Sequence, residues 1–158
     1  MPTIRTNLVD AYLFRRVEGN AHPELLLLRR AGEPLAGTWQ PVMGHIERGE
    51  TAVDCMWREL AEETDLARAD AVGAWALEQV HPFFLAERDE IVMSPRFAVE
   101  VPPGWEPILN NEHDAALWVS ARDTRQRFLW PGQHAAIAEL LDMLRNPRRL
   151  DALRLPAD

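Results

Sequence analysis

The sequence predicts an α/β protein in which a central mixed β-sheet is sandwiched between helices. Short apolar runs separated by turn-rich links fill the N-terminal half and recur in the middle of the chain. Residues 51 to 64 have helical periodicity, and Ala135 to Arg145 place Ile137, Leu140, Leu141 and Leu144 at helical spacing. That order of strands, helix, strands and helix fits a sheet covered by helices on its faces.

Leu8 to Val17 reads as the first strand, and Glu18-Gly19-Asn20-Ala21-His22-Pro23 as the turn that leaves it. Glu24 to Arg30 follows, and its unbroken Leu25 to Leu28 run is expected to be covered on both faces. Gly37 to Gly44 leads into the first helix as a short strand and loop. Thr51 is the expected N-cap of that helix, with Asp54 adding negative charge in the first turn. Ala71 to His81 and Ile91 to Val101 are read as two further strands joined by a polar connection around Ala86 to Glu90. Ala115 to Val119 is read as a last short strand. Residues 1–145 are thus expected to form one domain, and 146–158, with Arg148, Arg149 and Arg154, a loosely held extension.

The chain has 158 residues, the size of one ordinary domain able to bury a good core. Its 47% hydrophobic and 27% charged residues are globular values. There is no run of about 18 apolar residues and no basic-then-apolar start, so a soluble, cytoplasmic protein is expected, with no membrane partner. Cys55 is the single cysteine and lies within the first helix, which makes it a small packing residue rather than a nucleophile. The formal net charge of -8 argues against long nucleic acid as a partner. Small anionic substrates remain open, because divalent ions can bridge phosphates to an acidic site. Dimers are the commonest assembly on symmetry grounds, so a homodimer is the assembly to test.

The densest feature is Gly44 to Leu66, where Arg58-Glu59-Leu60-Ala61-Glu62-Glu63 follows a turn glycine and an isolated Glu50. In a helix Glu59, Glu62 and Glu63 stand at i, i+3 and i+4, with their carboxylates on one face. At about 100° per residue, Val53, Met56, Trp57 and Leu60 fall on a neighbouring apolar arc. The helix therefore sets its acids at the rim of a core. Repelling carboxylates there call for a cation, and the natural one for hard oxygen ligands is Mg²⁺, with Mn²⁺ as a substitute. A solvated charged face is the alternative, but it explains neither Gly44 nor Glu50.

From Gly44, five residues lead to Glu50, seven more to Arg58, and then come Glu59, Leu60, Glu62, Glu63 and Leu66. This spacing strongly resembles the box of the Nudix hydrolase family, whose Gly precedes Leu66 where this chain has Asp65. Asp is among the few residues that tolerate the left-handed conformation such a glycine adopts. Met43 is a second departure, at a position where many members carry glycine. Trp39-Gln40-Pro41-Val42, Glu112-His113 and Trp118 more faintly resemble the branch that includes dATP and dihydroneopterin triphosphate pyrophosphohydrolases.

The resemblance implies the Nudix fold, an α/β/α sandwich with a central mixed sheet, and hydrolysis of a phosphoanhydride. It implies that Glu59, Glu62 and Glu63, with the Gly44 carbonyl, hold the metal, and that Arg58 braces Glu50 through a bidentate fork. Glu59 and Glu62 would take part in catalysis, with Glu112 as the outside candidate for general base; an ordinary polar loop is the alternative for Glu112 and His113. For substrate binding, Arg29, Arg30, Trp39 and His81 are the candidates; Trp75, Phe83, Phe84 and Trp130 offer further aromatic surface. Strand-end surface charge is the alternative for the arginines. A dATP-like or pterin triphosphate is favoured as substrate. Diadenosine polyphosphates, nucleotide sugars and a role as a non-catalytic nucleotide-binding regulator are the alternatives.

Overall fold

The computed structural model describes residues 1–157. Ten strands and three helices occur in the order β1 (Thr3–Arg5), β2 (Leu8–Arg15), β3 (Glu24–Arg30), β4 (Trp39–Gln40), β5 (Val42–His45), α1 (Ala52–Thr64), β6 (Gly73–Ala76), β7 (Phe83–Leu85), β8 (Glu90–Val92), β9 (Arg96–Glu100), β10 (His113–Ser120), α2 (Pro131–Leu144) and α3 (Pro147–Ala152). The main sheet runs β10-β3-β2-β9-β6. It is mixed, because β2 and β9 are parallel while β3, β6 and β10 run antiparallel to their neighbours. A small second sheet, β1-β8-β7, lies outside it.

The two cores follow from the alternation of side chains across the main sheet. On one face Val9, Ala11, Leu13, Leu26, Leu28, Phe97 and Val99 meet Met56 and Leu60 of α1. On the other, Tyr12, Phe14, Leu25, Leu27 and Ala98 meet Ala136, Ile137 and Leu140 of α2. The Leu25 to Leu28 run is thus divided between both cores, as its unbroken apolarity predicts, and each buried leucine contributes roughly 2 kcal/mol of transfer free energy.

The chain forks where the acidic helix is launched. Only Phe14 and Arg15 of β2 pair with β3; β2 then pairs through Leu8 to Ala11 with β5, while β3 pairs with β4. Pro41, which has no N–H to give a ladder, stands between β4 and β5, where the chain crosses from β3 to β2. The expected single short strand of residues 37 to 44 is therefore two, one on each side of the fork.

Several boundaries differ from the sequence expectation, each for a local reason. The first strand stops at Arg15, two residues short of Val17. The strand expected over Ala71 to His81 holds only Gly73–Ala76, because the amides of Glu78 and Gln79 turn to the Glu139 carboxylate on α2. Ile91 to Val101 is two strands in different sheets, separated by Met93-Ser94-Pro95. The polar connection at Ala86 to Glu90 includes the turn of an unanticipated β7–β8 hairpin. The last strand starts at His113, opposite Arg30, rather than at Ala115. The second helix starts at Pro131, whose fixed φ suits the first helical position, with the Trp130 amide donating to the Gln133 side chain.

The segment after Arg145 is docked rather than loosely held. Asn146 caps α3, the Trp75 indole N–H donates to the Leu150 carbonyl, and backbone bonds link Ala76 to Leu153 and Leu155 to Ala74. The tail thereby covers the outer edge of β6, which would otherwise expose unpaired backbone. No helix among the described residues is long and apolar enough to cross a membrane.

Candidate active site

Helix α1 is fixed at both ends by the residues the sequence nominates. The Thr51 hydroxyl accepts from the Asp54 amide at 3.1 Å and donates to the Asp54 carboxylate at 2.6 Å. Asp65 closes the helix in the left-handed conformation, φ 60°, with its own N–H on the Ala61 carbonyl and the following Leu66 N–H on the Leu60 carbonyl. Asp65→Gly is expected to stabilise the fold by about 1 kcal/mol by relieving that conformation. A urea midpoint that rises without a change of slope would bear this out, and a fall would show that the aspartate makes a compensating bond.

Arg58 holds the loop against the helix through a fork. Its Nε and Nη2 donate to the two Glu50 oxygens at 2.9 and 3.0 Å, and Nη2 also reaches the His45 carbonyl at 3.0 Å. Glu50 takes a further bond from the Glu47 amide, and with Arg58 first among the causes its carboxyl is held down to about 2. The same guanidinium does more than brace. Its Nη1 lies 2.8 Å from Glu59 Oε1 and 3.5 Å from Glu62 Oε2, so it is a cation shared by two of the three acids. Cys55 is fully buried, and burial pushes its thiol up to about 12, which fits a packing residue and not a nucleophile.

The three acids sit in different surroundings. Glu62 is 55% exposed, Glu59 is buried beside Arg58, and Glu63 is 1% exposed. A Cβ on Gly44 would stand 2.0 Å from Glu59 Cδ, so β5 approaches the helix as closely as it does only because residue 44 has no side chain. The Met43 amide donates to Glu63, whose Oε2 has no hydrogen-bond partner. Burial, followed by the charges of Glu112 and Glu59, raises the Glu63 carboxyl to about 9.

The flanking candidates divide. Glu112 is exposed, its amide bonded to the Asn110 side chain, and its charge acts on Glu63, Glu59 and His113. His113 is buried: Nδ1 lies 3.6 Å from Glu63 Oε2 and Nε2 lies 3.0 Å from Gln40 Nε2. Burial, the largest influence, lowers its pKa and favours the neutral ring. The alternative of an ordinary polar loop residue does not hold for His113, because it lies in β10 opposite Arg30 and its ring is buried. Gln40, which the sequence singled out only within a flanking motif, is its polar neighbour. Arg29 is engaged by Asp114 at 2.6 Å and lies over the Trp39 ring, whereas Arg30 bonds the Gly32 carbonyl. His81 is exposed and lies against α2 at Gly132, and Trp75 belongs to the core.

Among the described residues no three Asp, Glu, His or Cys side chains form a ready-made ligand cage. The donor chemistry still fits a hard divalent ion. Glu59 and Glu62 already share one cation in Arg58, and Glu63 buries an oxygen with no partner. Asp10, Arg96 and Tyr12 form a second buried polar group that the sequence did not reveal.

Comparison with known proteins agrees with this geometry. The chain matches the NUDIX domain over residues 7–141. An octanoyltransferase of Myxococcus xanthus is 36% identical over 118 residues, which are 73% of this chain and 32% of that protein, so the chain spans about a third of the length of the curated relative it matches. The structure of a NUDIX hydrolase of Listeria monocytogenes superposes with a TM-score of 0.74 at 25% identity, covering 90% of this chain and 96% of that one. The dihydroneopterin triphosphate pyrophosphohydrolase of E. coli superposes with a TM-score of 0.70 at 19% identity, covering 87% and 95%, and shows the shared fold. With its box intact but for Asp65 and its domain matched over most of its length, the chain belongs to the NUDIX family and has the fold of that family's hydrolases.

Proposed function

We propose that this protein is a Mg²⁺-dependent pyrophosphohydrolase that cleaves a phosphoanhydride bond in a nucleoside triphosphate or a related diphosphate-linked compound, with a purine or pterin triphosphate favoured. The observation that carries the proposal is the pairing of Glu59, seated against Gly44, with Glu63, whose buried oxygen lacks a partner. In this reading residues 1–145 are the catalytic domain and 146–158 a C-terminal extension, whose Leu150, Leu153 and Leu155 bond to β6. Mn²⁺ is the expected substitute metal, and the site is expected to take small molecules rather than long nucleic acid.

Glu59, Glu62, Glu63 and the Gly44 carbonyl would hold the ion, which supplies charge neutralisation at the phosphate oxygens and a more acidic water. Arg58 keeps Glu59 in place and, through Glu50, keeps the loop closed on the helix. Glu63 holds a proton near neutral pH and exchanges it when a cation enters. Glu112, exposed beside this cluster, accepts the proton of the attacking water. The water oxygen bonds to phosphorus, the bridging P–O bond between the α and β groups breaks, and a monophosphate and pyrophosphate leave. Gln40 and neutral His113 form a fixed wall behind Glu63. Arg30, opposite His113, is the cation left for phosphate, with the His81 side chain, which lies against α2 at Gly132, as a further polar contact, and Trp39 offers an apolar surface.

A panel of nucleoside triphosphates, diadenosine polyphosphates and nucleotide sugars, assayed in Mg²⁺ and Mn²⁺ for released phosphate and pyrophosphate, tests this. Metal-dependent release of pyrophosphate from at least one triphosphate is the expected result. Binding without turnover across the panel would favour a regulator instead. Mg²⁺ should also raise the melting temperature, since a ligand of the folded state stabilises it.

A further inference from the structure

Beside the C-terminal half of α2 runs a trough that the metal chemistry does not use, and two cavities form it. One, of about 220 Å³, lies between the β2–β3 turn and the last turn of α2, with Leu141 and Leu144 as apolar lining and Arg16, His22 and Arg145 as cations. The other, of about 170 Å³, lies between α2 and the segment after β10, where Ile137, Ala138 and Leu141 meet Arg122, Arg125 and His134. Leu141 lines both, and the Ala121 amide at the second donates to the Pro23 carbonyl at the first, so the two are halves of one depression. The trough stands at the end of the β3–β10 ladder where Glu24 faces Ser120. Arg30 and His113, the latter beside Glu63, stand at the other end, about 20 Å away along the seven residues of β3.

The charge of this trough is opposite to that of the chain, whose net charge is -8. Arg122, Arg125 and Arg145 are exposed, and none of them makes an ion pair among the described residues. The neighbouring acids are already engaged: Glu100 grips Arg16 through both oxygens at 2.7 Å, Asp142 holds Arg149, and Glu139 accepts from the Glu78 and Gln79 amides. Asp123 and Glu18 line neither cavity. Cations gathered on an acidic protein create a local positive potential that draws carboxylates, and the guanidinium fork suits a carboxylate bidentately. The lining then decides among anions. Ala138 is exposed and Leu141 and Leu144 are half-buried, so apolar surface lies between the arginines. A nucleic-acid backbone has nothing to bury there, and a flat lipid surface does not enter a depression.

We infer that this trough docks an acidic amphipathic helix of a partner protein, whose apolar side chains enter the two cavities while its carboxylates pair with Arg122, Arg125 and Arg145. Side chains one helical turn apart on the partner stand side by side, as the two cavities do on either side of Leu141. The apolar anchors supply the affinity, and the arginines speed the encounter and fix the orientation of the bound helix. The trough shares no residue with the acid cluster, so the inference stands or falls independently of the hydrolase reading.

The probe is a fluorescein-labelled peptide of alanine and glutamate with leucines at i, i+4 and i+7, titrated with the whole chain and followed by anisotropy. It should bind, and less tightly as salt rises. A scrambled peptide of the same composition, which has no apolar face, should bind about tenfold or more weakly. Arg122→Glu combined with Arg125→Glu should weaken binding of the designed peptide by about tenfold or more, since like charges then face each other. Ala138→Trp, which fills the second cavity from an exposed position, should weaken it as well, whereas Arg88→Glu in the β7–β8 hairpin should leave it unchanged. Thermal melts check that each variant folds. No binding of the designed peptide, equal binding of the scrambled one, or binding indifferent to the arginine pair or to Ala138→Trp would overturn the inference. Tighter binding of duplex DNA or of phosphatidylserine vesicles than of the peptide would overturn it too, because the arginines would then be reading phosphate without the apolar lining.

Discussion

Glu63→Gln is expected to lower Mg²⁺-supported turnover by about 100-fold or more, because a metal ligand supports several kcal/mol of transition-state charge stabilisation and each 1.4 kcal/mol is tenfold. The same change should make the metal-free protein more stable at alkaline pH. The Glu63 carboxyl is raised from 4.5 to about 9, so between those values the folded state keeps a proton that the unfolded chain has released. The folded state is therefore destabilised as pH climbs through that window, with the loss complete above the folded value. Glutamine cannot ionise, and its presence should flatten the slope. A divalent ion replaces the proton, so its stabilising effect on the wild type should grow with pH. Melting temperatures from pH 5 to 9 in chelator and in Mg²⁺, beside steady-state turnover, measure all of this. Wild-type turnover in the variant would sink the role given to Glu63, and an unchanged pH slope would sink its buried carboxyl as the source of the effect.

How much of this was legible in the sequence depends on how local each signal is. Glu59, Glu62 and Glu63 share a face because helical geometry requires it, and Thr51 and Asp65 cap the helix as their short polar side chains allow. The Leu25 to Leu28 run shows its double burial directly, since no polar residue interrupts it. Other features depend on distant partners. His113 lies in an Asn- and acid-rich stretch that resembles a loop, and only its pairing with Arg30 turns it toward Glu63. Asp10 and Arg96 are single polar residues at the starts of apolar runs. Nothing in either run tells that a parallel ladder sets them side by side. The tail escaped notice for the same reason: Leu150 and Leu153 gain meaning only at the edge of β6.

Gly44→Ala is expected to be as damaging as the loss of a box carboxylate, although it adds a single methyl group. Gly44 is not among the residues with positive φ, and alanine can adopt its backbone conformation, so what demands glycine is space. The added carbon would stand 2.0 Å from Glu59 Cδ, 2.1 Å from Cγ and 2.2 Å from Oε1. Glu59 cannot simply swing away, because Arg58 Nη1 holds its Oε1 at 2.8 Å and the side chain is buried. Either the carboxylate moves and abandons Arg58, or β5 retreats from α1 and carries the Met43 amide away from Glu63. Overpacking of this kind costs about 1–3 kcal/mol of stability. A displacement of about 1 Å at catalytic groups costs about 100-fold in turnover. Gly19→Ala is the matched control: its φ of +83° makes alanine strained, but a Cβ there meets nothing within 4 Å. It should cost about 1–2 kcal/mol of stability and leave turnover unchanged. If the two variants lose activity alike, the close approach of Gly44 to Glu59 is not what holds the acid cluster in working order.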